Sequence, residues 1–250
     1  MKKWWVVGVG LKPTPTHDPS LFMLSIIIPA YNEASRILPT LEDIFLYFKE
    51  KKQDYELIVV DDGSADPTAG VVESFCQSQK MPFRILKNSV NSGKGFSVKK
   101  GVLAGSGDLI LFMDADGSTS ISELDRLLPY INTHPIVIGS RYSRGDTRVI
   151  MPLIRRWVGR ISNCMIRLLL LPGIRDTQCG FKLFQRGAAL SLFPQLTIDR
   201  WGFDFELLYL AREKGFSICE VPVDWIYKTG GKIRPIRDLW RTLGELVRLK

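Results

Sequence analysis

The stretch LILFMDADGS, Leu109 to Ser118, places five apolar residues directly before two aspartates, Asp114 and Asp116, and a glycine. A short continuous apolar run that ends on turn formers reads as a strand buried on both faces. Residues i and i+2 of an extended chain point the same way, so the two carboxylates can be presented together. Carboxylates that close repel each other unless a cation lies between them. A hard divalent ion such as Mg²⁺ or Mn²⁺ suits the pair, because it takes one or two protein carboxylates and fills its shell from phosphate and water. Gly117 lets the chain turn close to such a ligand. Alone, an Asp-x-Asp reads more readily as an acidic turn, so its neighbours have to decide.

The same pattern recurs along the chain. LSIIIP (24–29), ELIVVDD (56–62), FRIL (83–86) and IVIGS (136–140) are short, rich in Ile, Val, Leu or Phe, and end in turn formers. Helical spacing occupies the intervals at roughly 35–52, 66–79, 94–105 and 121–132. SADPT marks one helix start, with Asp66 as N-cap and Pro67 at the first helical position. Near-continuous apolar strands alternating with helices predict an α/β fold with a mostly parallel, doubly wound sheet. Ligands of such sheets bind beyond the carboxyl ends of the strands. Here those ends carry PAYNE, DDGS, DADGS and GSRY, four polar clusters expected on one edge.

NSGKGFSVKKG places Gly93, Lys94 and Gly95 where a helix should begin. Backbone N–H groups and a lysine there suit an anion. The spacing is not that of a Walker A loop, since no Ser or Thr follows the lysine.

The chain has 250 residues, 45% hydrophobic and 24% charged, enough for a proper core. Its four cysteines are scattered without a C-x-x-C pair, and it has only two histidines, which argues against a zinc site or a disulfide framework and fits a reducing compartment. Lys plus Arg number 34 against 26 Asp plus Glu, a net charge of +8 that suits anionic partners. No aromatic–basic sheet motif or zinc knuckle supports nucleic acid. No segment approaches the ~20 apolar residues of a bilayer span. The start, MKKWWVVGVGL, is too short for a signal peptide and lacks a small-residue cleavage site, so residues 1–22 are expected to be a loosely ordered leader without assigned function.

The second half reads differently. Residues 150–173 form a long helical pattern in which Arg156, Arg160 and Arg167 alternate with Ile154, Trp157, Ile161, Met165 and Leu168. Residues 235–250 repeat the idea with Arg234, Arg237, Arg241 and Arg248 beside Trp240, Leu243 and Val247. Basic helices of this kind can lie in a membrane interface; ordinary core helices with solvated arginines are the plainer alternative.

Taken in order, SIIIPAYNE, VVDDGSADPT, NSGKGFSVKKG, MDADGS, GSRY, RDTQCGFKLF and RWGFDFELL resemble the family 2 glycosyltransferases, and within them the polyprenyl-phosphate sugar synthases. The resemblance covers residues 24–240, and RDTQCGFKLF looks like the corresponding run of the dolichyl-phosphate β-glucosyltransferases. It implies a GT-A fold over 23–250, with a nucleotide-sugar half at 23–140 and an acceptor half at 141–250 that carries the interfacial helices. By that similarity Pro29, Ala30, Tyr31 and Glu33 line the nucleotide-sugar site, joined by Lys94 and by Asp61 or Asp62. Asp114 and Ala115 face nucleotide and sugar, and Asp116, with Asp114 beside it, is the metal ligand for Mg²⁺ or Mn²⁺. Arg141 and Lys232 hold phosphate charge, so that Asp114, Asp116 and Arg141 form the implied catalytic set. Arg155 is the implied contact for an acceptor lipid's phosphate, with Asp176 and Gln178 shaping the acceptor side.

The implied reaction is inverting hexose transfer from a nucleoside diphosphate sugar to a polyprenyl phosphate. Mannosyl members carry Gln where this chain has Ser118 and an Arg near Trp225, and both differences favour UDP-glucose over GDP-mannose. A mannosyl donor and a soluble saccharide acceptor remain the alternatives. The expected setting is the cytoplasmic face of a membrane, peripherally bound, with a homo-oligomer left open.

Overall fold

A computed structural model of the chain describes residues 6–8, 22–143, 145, 147–229 and 244–245; at Val6–Gly8, Ile154 and Arg155 the description stops at the backbone. The central sheet has eight strands: β1 (Val6–Gly8), β2 (Leu24–Ala30), β3 (Tyr55–Asp61), β4 (Phe83–Lys87), β5 (Leu109–Met113), β6 (Ile136–Ser140), β8 (Phe181–Gln185) and β9 (Ile218–Pro222). Their order is β1-β9-β6-β8-β5-β2-β3-β4. All neighbours run parallel except β8, which is antiparallel to both β5 and β6. Because β8 reverses between them, β5 and β6 point the same way, and the ends of β2, β3, β5 and β6 meet on one edge. A second, two-stranded parallel sheet joins β7 (Val149–Ile150) to β10 (Trp225–Ile226).

Helices cover both faces, and the period-2 alternation of the strands decides which residue meets which layer. Ile26, Ile28, Val59 and Leu111 pack with Leu41, Ile44 and Phe48 of α1 (Leu38–Lys51) and with Val72 and Cys76 of α2 (Thr68–Ser78). Ile27, Ile58, Val60 and Phe112 face the other way. They meet Val98 and Val102 of α3 (Lys94–Ala104), Ala189 of α6 (Arg186–Leu192) and Phe205 and Leu208 of α7 (Phe203–Glu213). Each such buried aliphatic or Phe side chain contributes about 1.5–3 kcal/mol.

The five predicted strands are all present. The helix expected over 121–132 is broken into a 3₁₀ turn at Ile121–Glu123, a short α4 (Leu124–Leu127) and a second 3₁₀ turn at Leu128–Tyr130. Pro129 has no N–H to give and its ring crowds the carbonyl of residue 125, so a regular helix cannot run through it. The pattern at 150–173 shortens to α5 (Leu153–Leu169), bounded by Pro152 before it and the Pro172–Gly173 pair beyond. Helix α2 starts at Thr68, one residue later than Pro67 suggested, yet the Asp66 carboxylate accepts from the Thr68 N–H at 3.1 Å as a cap should.

The leader differs from its expected loose order at Val6–Gly8, which adds an edge strand to β9; its other residues up to 21 lie outside the described residues. So does the predicted helix over 235–250, apart from Gly244 and Glu245. Among the described residues, no helix is long and apolar enough to cross a membrane.

Candidate active site

Strand β2 lies between β3 and β5, where the order of the sheet reverses, and this is where an open α/β sheet leaves a cleft. Pro29 and Ala30 close β2, with half-buried Tyr31 just beyond. The carboxylate of Glu33 is not presented to the cleft as a lone charge: it pairs with Arg36 Nη2 at 2.6 Å, while its backbone N–H reaches Thr68 Oγ1.

Asp61 and Asp62, indistinguishable in the sequence, separate in the structure. Asp62 accepts four hydrogen bonds, from Asn88 Nδ2 (2.8 Å), Asn91 Nδ2 (3.0 Å) and the N–H groups of Ser92 and Gly93 (both 2.9 Å). Its carboxylate is therefore used in building the loop that leads into α3. Among the described residues, Asp61 accepts from Ser64 N–H through Oδ1 alone, which leaves Oδ2 for another donor.

Asp114 follows β5, and its N–H bonds to the Gly180 carbonyl at 3.1 Å. A Cβ on Gly180 would lie 2.0 Å from Asp114 Oδ2, so only glycine lets this carboxylate rest against the start of β8. That close approach explains the glycine of DTQCGF. Opposite, Lys94 Nζ pairs with Asp114 at 2.7 Å and lies over the rings of Phe112 (5.0 Å), Trp201 (5.1 Å) and Phe203 (5.9 Å). Burial works against the Lys94 charge, but Asp114 and then Asp204 outweigh it and hold the ammonium above its ordinary pKa. Two backbone donors of the α3 entrance are already taken, Gly93 N–H by Asp62 and Phe96 N–H by the Asp199 carbonyl. The positive charge at this turn is that of Lys94. Behind it, fully buried Lys182 bridges Asp204 (2.5 Å) and the Cys179 carbonyl (2.6 Å).

Asp116 stands on the turn beyond Asp114, its Oδ1 held by Ser118 N–H at 3.0 Å. Gly117 takes φ +63°, and Thr40 Oγ1 pins the turn through the Ala115 carbonyl at 2.8 Å. Ser118 is buried, its carbonyl accepts from Ile226 N–H, and its Oγ makes no hydrogen bond among the described residues. Two carboxylates and a spare hydroxyl form an oxygen-donor set that fits a hard divalent ion sharing a diphosphate. Among the described residues, no group of three or more His, Cys, Asp or Glu gathers into a closed cage. An open arrangement of that kind depends on its substrate to complete the shell.

Past β6, Arg141 forms a bidentate pair with Asp176, Nε to Oδ2 at 2.7 Å and Nη2 to Oδ1 at 2.8 Å, and its N–H adds a third bond at 2.9 Å. Tyr142 and Trp225 lie over the guanidinium at 5.5 and 5.6 Å. Burial opposes both charges, yet each partner outweighs it for the other: Arg141 is held above and Asp176 below the ordinary range. Asp176 is in turn anchored by Glu220 Oε1, which accepts the Asp176 N–H at 2.6 Å. Gln178 is tied to the same carboxylate through its N–H at 3.3 Å. Cys179 is fully buried and its thiol is pushed up to about 12, first by burial, as suits a packing residue.

The structure therefore brings Asp61, Lys94, Asp114, Asp116, Arg141 and Asp176 onto one edge. Arg155 lies in the first turn of α5 with its side chain outside the described residues, and Lys232 falls outside them altogether. The sequence assigns no role to Trp201, Lys182, Asp204 or Glu220; three of them sit inside quoted motifs, but nothing in spacing alone links them to Lys94 or Arg141.

A cleft at the sheet's switch point with paired aspartates, an ammonium and a clamped guanidinium can hold a diphosphate and align a group leaving it. Glucosyl-3-phosphoglycerate synthase from Mycobacterium tuberculosis, solved with Mn²⁺, uridine diphosphate and phosphoglyceric acid, shares the fold with a TM-score of 0.70. The match covers 97% of this chain and 84% of that one at 20% identity. The fold is that of the GT-A class. The chain belongs to glycosyl transferase family 2, whose model matches residues 25–193. It is similar to the dolichyl-phosphate beta-glucosyltransferase of Dictyostelium discoideum, 38% identical over 91% of this chain and 73% of that protein. The human dolichyl-phosphate beta-glucosyltransferase is 37% identical over 98% of this chain and 80% of its own length.

Proposed function

We propose that the chain transfers glucose from UDP-glucose to a dolichyl or other polyprenyl phosphate, giving the β-linked lipid-phosphate sugar. The observation that carries this reading is the identity with dolichyl-phosphate beta-glucosyltransferases, 37–38% over at least 91% of the chain. Asp61, Lys94, Asp114 and Asp116 on the nucleotide side, and Arg141 on the acceptor side, supply the groups such a reaction needs.

One oxygen of the lipid phosphate attacks the anomeric carbon as the bond from that carbon to the diphosphate breaks, so the configuration inverts and UDP departs. A phosphate monoester with a second pKa near ~6 is already ionised at neutral pH, so no histidine base is required. Arg141 uses Nε and Nη2 on Asp176, and its Nη1 edge is left for phosphate. A guanidinium fixed before substrate arrives costs no reorganisation during reaction. Lys94 can exchange Asp114 for a diphosphate oxygen without leaving its aromatic surround. Asp116, with Asp114 and the Ser118 hydroxyl nearby, would hold Mg²⁺ or Mn²⁺, which when bound neutralises charge on the leaving diphosphate as a Lewis acid.

The acceptor lies in a bilayer, and α5 offers a way to reach it. Leu153, Trp157, Ile161 and Leu168 recur at helical spacing and are 50–79% exposed. Together with the net +8 charge they support peripheral docking on an anionic, cytoplasm-facing membrane surface, each basic residue there worth ~1 kcal/mol.

The test is a donor panel of UDP-glucose, UDP-galactose, UDP-N-acetylglucosamine and GDP-mannose. Each is assayed against polyprenyl phosphate in anionic vesicles with Mg²⁺ or Mn²⁺. Preference for UDP-glucose and salt-sensitive sedimentation of the protein with the vesicles are expected. Preference for GDP-mannose would overturn the donor, and failure to sediment at low salt would overturn the docking.

A further inference from the structure

The loop between α5 and β8 carries Asp176, the residue that clamps Arg141, and it has no regular structure of its own. Two buried side chains hold the peptide groups around Asp176. From the sheet, Glu220 of β9 accepts the N–H groups of Arg175 (2.9 Å) and Asp176 (2.6 Å). From the helix, Asn163 of α5 uses every part of its amide. Its Oδ1 accepts from Thr177 N–H (3.1 Å) and Thr177 Oγ1 (2.7 Å), and its Nδ2 donates to the Arg175 carbonyl (2.9 Å). Asn163 is 4% exposed, whereas the apolar stripe of the same helix faces outward.

We infer that Asn163 is a positioning residue for the acceptor phosphate, registering α5 against the Asp176–Arg141 clamp. This rests on the proposed polyprenyl phosphate acceptor. The lipid must meet two parts of the protein at once, the outward face of α5 and the guanidinium beyond β6. Asn163 is the buried amide that ties one to the other, through three hydrogen bonds flanking the carboxylate that orients Arg141. Glu220 alone, without the amide, holds only the N–H side of the loop. The Arg175 carbonyl and the Thr177 N–H then need new partners, and the loop can shift relative to the helix. A shift of about 1 Å at a positioned group costs up to ~100-fold in rate. The bonds of Asn163 reach only Arg175 and Thr177; the loop meets Asp114 at Gly180, where the pairing of β8 with β5 and β6 begins and holds the chain, so the donor half is left in place.

The experiment measures initial rates of the full chain in detergent micelles, varying a short polyprenyl phosphate at saturating UDP-glucose and then the reverse. Wild type is compared with Asn163→Ala and Asn163→Asp. Asn163→Asp keeps the oxygen that serves Thr177 but loses the donor to Arg175. The expected result is an acceptor KM raised on the order of tenfold by Asn163→Ala and by less in Asn163→Asp, with the donor KM within about twofold of wild type. If Asn163→Ala fails to fold, Asn163→Asp carries the same split between the two KM values. Unchanged acceptor KM, or equal changes for donor and acceptor, would overturn the positioning role while leaving the proposed reaction intact. A wild-type protein that makes no glucosyl lipid would overturn the acceptor reading, and this inference with it.

Discussion

Asp114 owes its place to a residue with no side chain. Its carboxylate rests on Gly180, where a Cβ would intrude to 2.0 Å, and is met from the other side by Lys94 at 2.7 Å. Gly180→Ala is therefore expected to push the carboxylate away from its lysine and to lower kcat on the order of 100-fold, with the fold retained. Turnover of radiolabelled donor alongside a thermal melt checks this; full activity in the variant would show that Asp114 needs no such support. The two neighbouring aspartates, Asp61 and Asp62, teach a related point. Both were legible as site candidates, because acidic residues after a buried strand mark the ligand edge. Which one is free for a ligand was not legible, since it depends on Asn88, Asn91 and the Ser92–Gly93 amides, up to 31 residues away, folding back onto Asp62.

At the scale of elements, Glu56 joins pieces at the amino end of the sheet. On β3, its carboxylate accepts from Ser25 Oγ of β2 (2.6 Å), from Ser106 N–H and Oγ (2.6 and 2.8 Å), and from Arg84 of β4 (2.6 Å). Burial would raise its pKa, but these donors prevail and take it from 4.5 down to about 2. A lowered folded-state pKa stabilises above the unfolded value and is lost as pH falls through the folded one. The contribution should thus be complete above pH 4.5 and vanish toward pH 2. Glu56→Gln is expected to cost on the order of 2–3 kcal/mol near neutral pH in urea denaturation, with the gap to wild type closing under acid. An equal gap at both pH values would contradict the assignment.

Strands β2 to β6 were legible because their largely continuous apolar runs end in turn formers, whereas the parallel β9 was not, its short ICEVP run being interrupted by the buried Glu220. Strand β8 was not, since FKLFQ carries a buried lysine whose partner, Asp204, arrives from a distant helix. Helix α4 was over-extended because the apolar spacing continues through Pro129, where hydrogen bonding cannot.

Over the whole molecule, the antiparallel β8 is what brings the two halves of the site together. It lies between β5, which leads to Asp114 and Asp116, and β6, which leads to Arg141, and so sets the proposed diphosphate side beside the proposed acceptor side. In the proposed function, the outward apolar face of α5 and the positive net charge would bring that junction to a membrane surface where a lipid phosphate lies. The apolar–basic pattern of α5 was legible from helical spacing, and the structure leaves Leu153, Trp157, Ile161 and Leu168 exposed; the coupling through Asn163 and Asp176 required the folded chain. The most direct test follows radiolabel from UDP-glucose into polyprenyl phosphate with wild type and Asp116→Ala in parallel. Label should pass into the organic-extractable lipid with wild type only when polyprenyl phosphate is present, and fall to background in Asp116→Ala. Transfer that ignores the lipid phosphate, or that survives loss of Asp116, would contradict the account.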